Sequence, residues 1–260
     1  MIFQKVLLTG AAGGLGRVLR PALRKELEFL RSTDINPMDP PEANEETIVA
    51  DLADPTSATR LVEGIEAIVH FGGISTEADF ESIERVNIAG MYHLYEAARL
   101  AGVKRVVFAS SNHAIGFYPQ SQVIDTAVPQ RPDTFYGLSK AFGENLASLY
   151  WDKHGIETVS IRIGSSFPEP TDRRMLLTWL SYGDLIQLVS RALTAPRVGN
   201  LVVYGVSDNA ATFWDNRLAG ILGYKAADSS EAYREKVFAN TPVPDKDEAA
   251  MVYQGGVYTL

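Results

Sequence analysis

The chain has 260 residues, 46% of them hydrophobic and 22% charged, with a formal net charge of −8. That much apolar content excludes a disordered chain, and the acidic balance argues against nucleic acid or an anionic membrane as the main partner. The chain contains no cysteine, which excludes disulfides, thiolate zinc sites, iron–sulfur clusters and a cysteine nucleophile. The N-terminal residues lack a signal-peptide pattern, and no apolar run approaches the ~18–20 residues of a membrane helix. The expectation is a cytoplasmic protein without a membrane partner.

Lys5–Leu8 is a short apolar run that predicts a strand ending at Thr9-Gly10, followed by a helix over about Leu15–Lys25 with a kink or lost bond at Pro21. Further strands are predicted at Leu27–Ser32, Thr47–Ala50 and Ala67–Phe71. Helices are predicted near Ser57–Glu63 and over Phe80–Ala101. Arg105–Ala109 reads as a fifth strand, Tyr136–His154 as a long helix and Thr158–Ile163 as a sixth strand. Short apolar strands alternating with helices imply an α/β fold: a doubly wound parallel sheet (Rossmann fold) covered on both faces. After Ile163 the rhythm changes. A loop rich in Ser, Pro and Arg covers Gly164–Arg174, then come a helix at Gly183–Thr194, a strand at Leu201–Val206, an aromatic cluster in Thr212–Leu222 and a Pro- and Asp-rich stretch at Thr241–Glu248. No linker separates this part. Residues 1–164 therefore form the dinucleotide-binding domain, and residues 165–260 a small C-terminal substrate-covering lobe packed on it.

The first strand–helix junction reads Thr9-Gly10-Ala11-Ala12-Gly13-Gly14-Leu15-Gly16, a G-x-x-G-x-x-G spacing. Gly10 permits the tight turn, Gly13 lets backbone approach a pyrophosphate, and Gly16 lets helix and strand pack closely. The helix N-terminus then offers free N–H groups to phosphate. Asp34 follows Gly10 by 24 residues, at the end of the second strand. A carboxylate there binds ribose hydroxyls and repels a 2′-phosphate, which favours NAD over NADP. Asp51-Leu52 ends the third strand, where an acidic group can meet the adenine amino group or cap a turn. Gly72-Gly73-Ile74-Ser75 ends the fourth, where backbone can run close to the cofactor or only shape a loop.

Tyr136 and Lys140 form a Y-x-x-x-K pair, which a helix places on one face. A tyrosine acting as a base near neutrality must fall about three units from its usual ~10, and Lys140 together with a positive nicotinamide ring is expected to supply this. The fifth strand leads into Ser110-Ser111-Asn112-His113, a polar cluster at the carboxyl end of a parallel strand, where ligands collect. The other histidines, His70, His93 and His154, show no ligand spacing with His113, so no metal is expected. Phe213-Trp214 reads as core packing.

These motifs, in this order from Lys5 to Gly164, resemble the extended short-chain dehydrogenase/reductase (NAD-dependent epimerase/dehydratase) family, which includes sugar-nucleotide epimerases. The resemblance implies Ser111 as the hydroxyl that polarises the substrate, Tyr136 as acid/base, and Lys140 as the tyrosine's partner that also holds the nicotinamide ribose. Ser111 is chosen over Ser110 because the family's serine lies five residues before a glycine, here Gly116. Asn87 matches a family asparagine that supports the site, or is an ordinary helix residue. The resemblance also implies a homo-oligomer, built on a surface such as Phe80–Ala101 or Tyr136–His154.

A closer resemblance is to members of that family that oxidise hexuronates. It is carried by residues 69–75, 108–116, 162–166, Pro168-Glu169-Pro170, Arg173–Leu176, Trp214-Asp215-Asn216 and Gln254-Gly255-Gly256, with Gly14 at a variable position of the glycine turn. It implies oxidation of D-galacturonate or D-glucuronate at C1 to the aldarolactone, with hydride transfer to NAD. A uronate needs a cation and several polar groups. Arg174 is the choice for the carboxylate, because a guanidinium makes bidentate pairs, with Arg173 as the alternative. Ser75, Asn112, His113 and Ser165 are implied at the hydroxyls or carboxylate, and Ser166 at the cofactor. The rival readings are a sugar-nucleotide epimerase or dehydratase of the same fold and a non-catalytic NAD-sensing protein. Only 96 residues follow Gly164, lean for a nucleotide-sugar pocket.

Overall fold

The structure, a computed structural model, describes residues 2–243, 245 and 249–260. Pro244 and residues 246–248 of the Pro- and Asp-rich stretch lie outside the described residues. In chain order the strands are β1 (Lys5–Thr9), β2 (Phe29–Asp34), β3 (Glu45–Val49), β4 (Ala67–His70), β5 (Arg105–Ser111), β6 (Glu157–Ile163) and β7 (Asn200–Gly205). Among the described residues they make one sheet in the order β3-β2-β1-β4-β5-β6-β7, with every neighbour parallel. The strand order reverses beside β1, so the loops after β1 and β4 part there and leave a crevice at their carboxyl ends.

The helices are α1 (Gly14–Glu26), α2 (Pro55–Leu61), α3 (Phe80–Ile83), α4 (Gly90–Ala101), α5 (Phe135–His154), α6 (Met175–Thr178), α7 (Tyr182–Thr194), α8 (Arg234–Asn240) and α9 (Ala249–Val252). Strand side chains alternate between the two faces. Val6 and Leu8 pack with Leu19 and Leu23 of α1 and Leu185 and Leu188 of α7. Leu7 packs with Leu61 of α2, Leu94 of α4 and Leu146 of α5. A third cluster joins Tyr204 of β7 to Phe213 and Trp214, the Tyr204 and Trp214 rings stacked at 4.9 Å. Both Phe213 and Trp214 are buried core, as expected from the sequence.

Boundaries moved where charges sit inside strands. β3 begins at Glu45 because that carboxylate is buried against Arg20 (2.6 Å) and Ser32 (2.7 Å), which apolar periodicity does not anticipate. β2 runs two residues beyond its expected end and includes Asp34. β5 continues through Ser110 and Ser111, paired with Arg162 and Ile163 of β6. α1 runs through Pro21, which stands on the exposed side. The single helix expected over Phe80–Ala101 is α3 and α4 joined by a π-helical turn at Glu84–Ala89. No helix among the described residues is long and apolar enough to cross a membrane.

Candidate active site

The crevice opens into a cleft of about 1160 Å³, larger than the usual ~300–1,000 Å³ of a single-ligand pocket. At one end stands the glycine turn. Gly10 has φ +73°, and a Cβ there would lie 2.5 Å from the Phe71 carbonyl; one at Gly16 would lie 2.0 Å from the Gly10 carbonyl oxygen. Only backbone fits at either place. A Cβ at Gly14 would meet nothing within 4 Å, so the turn presents bare backbone to the cleft. Some helices close their first turn with a side chain: Asp54 caps α2, Thr134 caps α5 and Ser181 caps α7, while α4, α6 and α8 have no such cap. α1 has Gly13 at its N-cap and no side-chain cap, leaving its N–H groups and positive dipole end for an anion.

Asp34 lines the cleft beside this turn. One carboxylate oxygen accepts from Ala12 N–H (3.0 Å), the other from Asn36 backbone N–H (2.9 Å) and side chain (3.2 Å). Asp34 thus braces the glycine turn and still has lone pairs for a diol. Arg31, the nearest strand cation, is turned away onto Glu46 and the Leu61 and Glu63 carbonyls. Asp51 and Leu52 also line the cleft. Asp51 accepts from Ala53 N–H (2.9 Å), a turn cap, and pairs with Arg85 (2.8 Å). Leu15, Gly72, Gly73, Ser75 and Ser166 are at the wall too, the Ser166 hydroxyl donating to the Leu180 carbonyl at 3.0 Å. Asn87 is not. It sits behind the wall, accepting from Ile74 N–H (2.8 Å) and donating to the Ile74 carbonyl and the Ser139 hydroxyl (3.0 Å each). It shapes the 72–75 loop from the π-helical turn, a local form frequent at functional sites. An uncapped helix start, bare-backbone turn and ribose-height carboxylate fit a dinucleotide.

The reacting end is built by β5 and α5. Ser111, Tyr136 and Lys140 all line the cleft and are nearly buried. Ser110 lies next to them, but its hydroxyl donates to buried Glu144 at 2.6 Å, a carboxylate also held by Arg162. The choice of Ser111 over Ser110 therefore has a geometric reason. Lys140 Nζ donates to the Ala109 carbonyl at 2.7 Å and lies 5.4 Å from the Tyr136 ring centre. Burial pulls the Lys140 pKa down to about 8 and pushes Tyr136 up to about 12, the Ser111 hydroxyl opposing the rise. The expected fall belongs to the state with Lys140 and a positive nicotinamide ring acting together. Within the protein alone, desolvation, helped by Tyr258 and Asp133, outweighs the Ser111 hydrogen bond. His70 is packed beneath Lys140, bonded to the Thr9 hydroxyl at 2.8 Å; burial, then the lysine charge, drives its pKa down to about 3.

The far end collects side chains from distant segments. Asn112, with its amide oxygen toward Arg174, accepts from Nη2 at 2.8 Å and donates to the Ile163 carbonyl at 3.1 Å. Arg174 Nε donates to the Gln254 carbonyl at 2.7 Å, and burial lowers its pKa. Arg173 also lines the cleft, but its guanidinium is committed to Thr241 (3.2 Å to hydroxyl and carbonyl) and lies over Phe238. Ser165 shares a hydrogen bond with Thr178 (3.0 Å), and His113 bonds Asp133 (2.8 Å).

Sequence reasoning gave no role to several residues here. Tyr258 lines the cleft and packs on His113 with ring centres 4.3 Å apart. Gln254 is fully buried; its side chain accepts from Trp214 Nε1 and donates to the Pro119 and Gln122 carbonyls. Glu77 accepts from the Phe135 and Tyr136 N–H groups at 3.2 and 2.9 Å, tying the 72–79 loop to the helix that carries the tyrosine. Each acts across a long sequence gap and carries no local pattern. A Gln254-Gly255-Gly256 resemblance was the one available sign of the C-terminal wall.

Fold and site together define a class: the chain belongs to the NAD dependent epimerase/dehydratase family, whose sequence profile matches residues 6–181. Within that class it is similar to uronate dehydrogenases. The uronate dehydrogenase of Pseudomonas syringae pv. tomato is 59% identical over 257 residues, which cover 98% of this chain and 93% of that protein. The crystal structure of uronate dehydrogenase from Agrobacterium tumefaciens superposes with a TM-score of 0.96 at 49% identity, covering 100% of this chain and 97% of that one. A tyrosine-to-alanine mutant of the Agrobacterium enzyme complexed with NAD matches with a TM-score of 0.95, again at 49% identity, covering 98% and 97% of the two chains.

Proposed function

We propose that the protein is an NAD-dependent uronate dehydrogenase, an oxidoreductase acting on a CH–OH group, that converts D-galacturonate or D-glucuronate to the aldarolactone. The observation that carries this reading is Arg174, a part-buried cation in the same cleft as Ser111, Tyr136 and Lys140, in a chain similar to uronate dehydrogenases over nearly its whole length. A guanidinium whose Nε and one Nη2 hydrogen are already bonded is held in one plane with Nη1 left to meet a carboxylate.

The glycine turn with Leu15, Asp34, Asp51-Leu52, the 72–75 loop, Ser166 and Lys140 would hold NAD, with Asn87 supporting that loop from behind. When bound, NAD supplies the acceptor for the hydride that leaves C1. The chain's own groups do the rest. Arg174 takes the carboxylate, while Ser75, Asn112, His113 and Ser165 meet the remaining polar groups of the pyranose. Ser111 donates to the anomeric oxygen, and Tyr136 removes its proton as the C1–O bond becomes a carbonyl. Lys140, lowered by burial to about 8 and so still charged near neutrality, favours the tyrosinate by that charge, with Nζ 5.4 Å from the ring centre. Residues 1–164 supply the cofactor and proton chemistry, and residues 165–260 the cover over the sugar. We place the enzyme in the cytoplasm, where a dehydrogenase that uses free NAD finds its cofactor. We also take it to be a homo-oligomer, supported by exposed Tyr92 and Leu100 on α4 and Leu149 on α5.

The test mixes the protein with NAD⁺ and, separately, galacturonate, glucuronate, galactose and glucose, and follows NADH absorbance. NADH from the uronates alone is expected. Equal rates with the neutral sugars contradict a carboxylate-selective enzyme.

A further inference from the structure

His113 leaves the end of β5 and lines the cleft, and its Nδ1 lies 2.8 Å from Asp133 Oδ2. The Asp133 side chain has no exposed surface. Its surroundings are pared to backbone around it. A Cβ at Gly116 would lie 1.8 Å from Oδ2, one at Gly255 1.9 Å from Oδ2, and one at Gly137 3.1 Å from Oδ1. Three separate segments, one of them the C-terminal wall, therefore have no side chain where this carboxylate sits. A buried carboxylate is costly unless its oxygens are bonded. Here the partners are His113 and the Thr134 hydroxyl, which donates to Oδ1 at 3.1 Å.

A carboxylate offers only lone pairs, so the hydrogen in the 2.8 Å contact belongs to Nδ1. In the neutral imidazole the other nitrogen, Nε2, is then an acceptor. No protein partner is bonded to Nε2 among the described residues, while the Tyr258 and Tyr136 rings, at 4.3 and 5.9 Å, hold the imidazole plane. We propose that Asp133 is a specificity-determining positioning residue: by keeping the hydrogen on Nδ1, it makes His113 Nε2 a hydrogen-bond acceptor for one sugar hydroxyl. The inference rests on the uronate reading of the cleft and deepens it. Arg174 offers only donors and Nε2 offers only a lone pair. A uronate carboxylate is accepted at the first and rejected at the second, which fixes which way round the sugar lies.

The test is Asp133→Asn, nearly isosteric, whose amide can donate to Nδ1 and move the ring hydrogen to Nε2. Expected are a rise of about tenfold or more in KM for galacturonate, a kcat within a few-fold of the parent, and unchanged NAD affinity by fluorescence titration. Among galacturonates lacking a single ring hydroxyl, one binds the parent about tenfold more weakly yet loses nothing in Asp133→Asn. Adding His113→Phe to Asp133→Asn costs nothing further. An unchanged KM in folded Asp133→Asn whose His113 hydrogen has moved to Nε2 by nitrogen-15 NMR, or additive losses in the double variant, overturns the proposal. Nitrogen-15 NMR of the unsubstituted protein, with the His113 signals assigned through His113→Phe, reads the tautomer without any variant having to fold well. Protonation on Nδ1 is expected, and protonation on Nε2 alone overturns it. Absence of NADH with every uronate would instead defeat the proposed activity, while the tautomer is still read.

Discussion

The two ends of the cleft are made of different material. The cofactor end is mostly backbone: a glycine turn where Cβ atoms cannot fit, an uncapped helix start, and loops directly after β1 and β4. The end proposed for the sugar is mostly side chains, brought by Asn112, His113, Asp133, Arg174 and Tyr258 from segments scattered between residues 112 and 258. Backbone N–H groups recognise a phosphate in any member of the family. Side chains can be exchanged one at a time, so the sugar end is where one member differs from another. Substitutions at the sugar end should change which substrate is used, and those at the cofactor end how tightly NAD is held.

The largest effect belongs to the boundary between the ends. Tyr136→Phe should lower kcat about a thousandfold or more, the usual weight of a general base, with NAD affinity in fluorescence titrations unchanged. Activity near the parent's would remove Tyr136 from the chemistry. Next, Arg174→Ala should raise KM for galacturonate about a hundredfold, in keeping with loss of a charge-assisted, part-buried pair, again without effect on NAD. A comparable loss of NAD affinity would blur the division. Smaller still, Asp34→Ser should weaken NAD about tenfold and narrow the preference over NADP, because the charge that repels a 2′-phosphate is gone. Uronate KM at saturating NAD should not move.

The smallest effect is on stability and reads the packing beneath Lys140. His70 titrates at about 3 in the folded chain, against about 6.5 when unfolded. Between those values the unfolded chain binds the extra proton, so stability falls as pH drops from 6.5 toward 3, by at most about 1.4 kcal/mol per pH unit from this group. His70→Asn, which keeps an acceptor for Thr9, should flatten the slope of denaturation midpoint against pH in that window. An unaltered slope would mean that His70 is not the group responsible.

The same contrast explains what the sequence disclosed. Gly10, Gly13 and Gly16, Asp34, Ser111 and the Tyr136–Lys140 pair are legible because one turn, a strand end or one helix face positions each. The sheet was legible for the same reason, since its strands are short apolar runs covered on both sides. Glu45 shifted a boundary because a buried ion pair looks polar in sequence. Asp133 and Glu77 stayed hidden because their partners lie 20 and 58 or 59 residues away, and nothing in their own neighbourhoods announces the contact; Gln254, 80 residues from Arg174, was marked by resemblance and not by its contacts. Tyr136 was legible as a residue but not in its surroundings: burial, invisible in sequence, raises its pKa in the protein alone.

The central claim is that C1 of a uronate gives up the hydride at the site formed by Ser111 and Tyr136. The most direct test supplies galacturonate deuterated at C1, with NAD⁺, and examines both products by mass spectrometry. The deuterium should appear in the reduced cofactor and be missing from an aldarolactone. Deuterium kept at C1 of the sugar product, with no net reduced cofactor, would contradict the claim and point to the epimerase chemistry known elsewhere in the family.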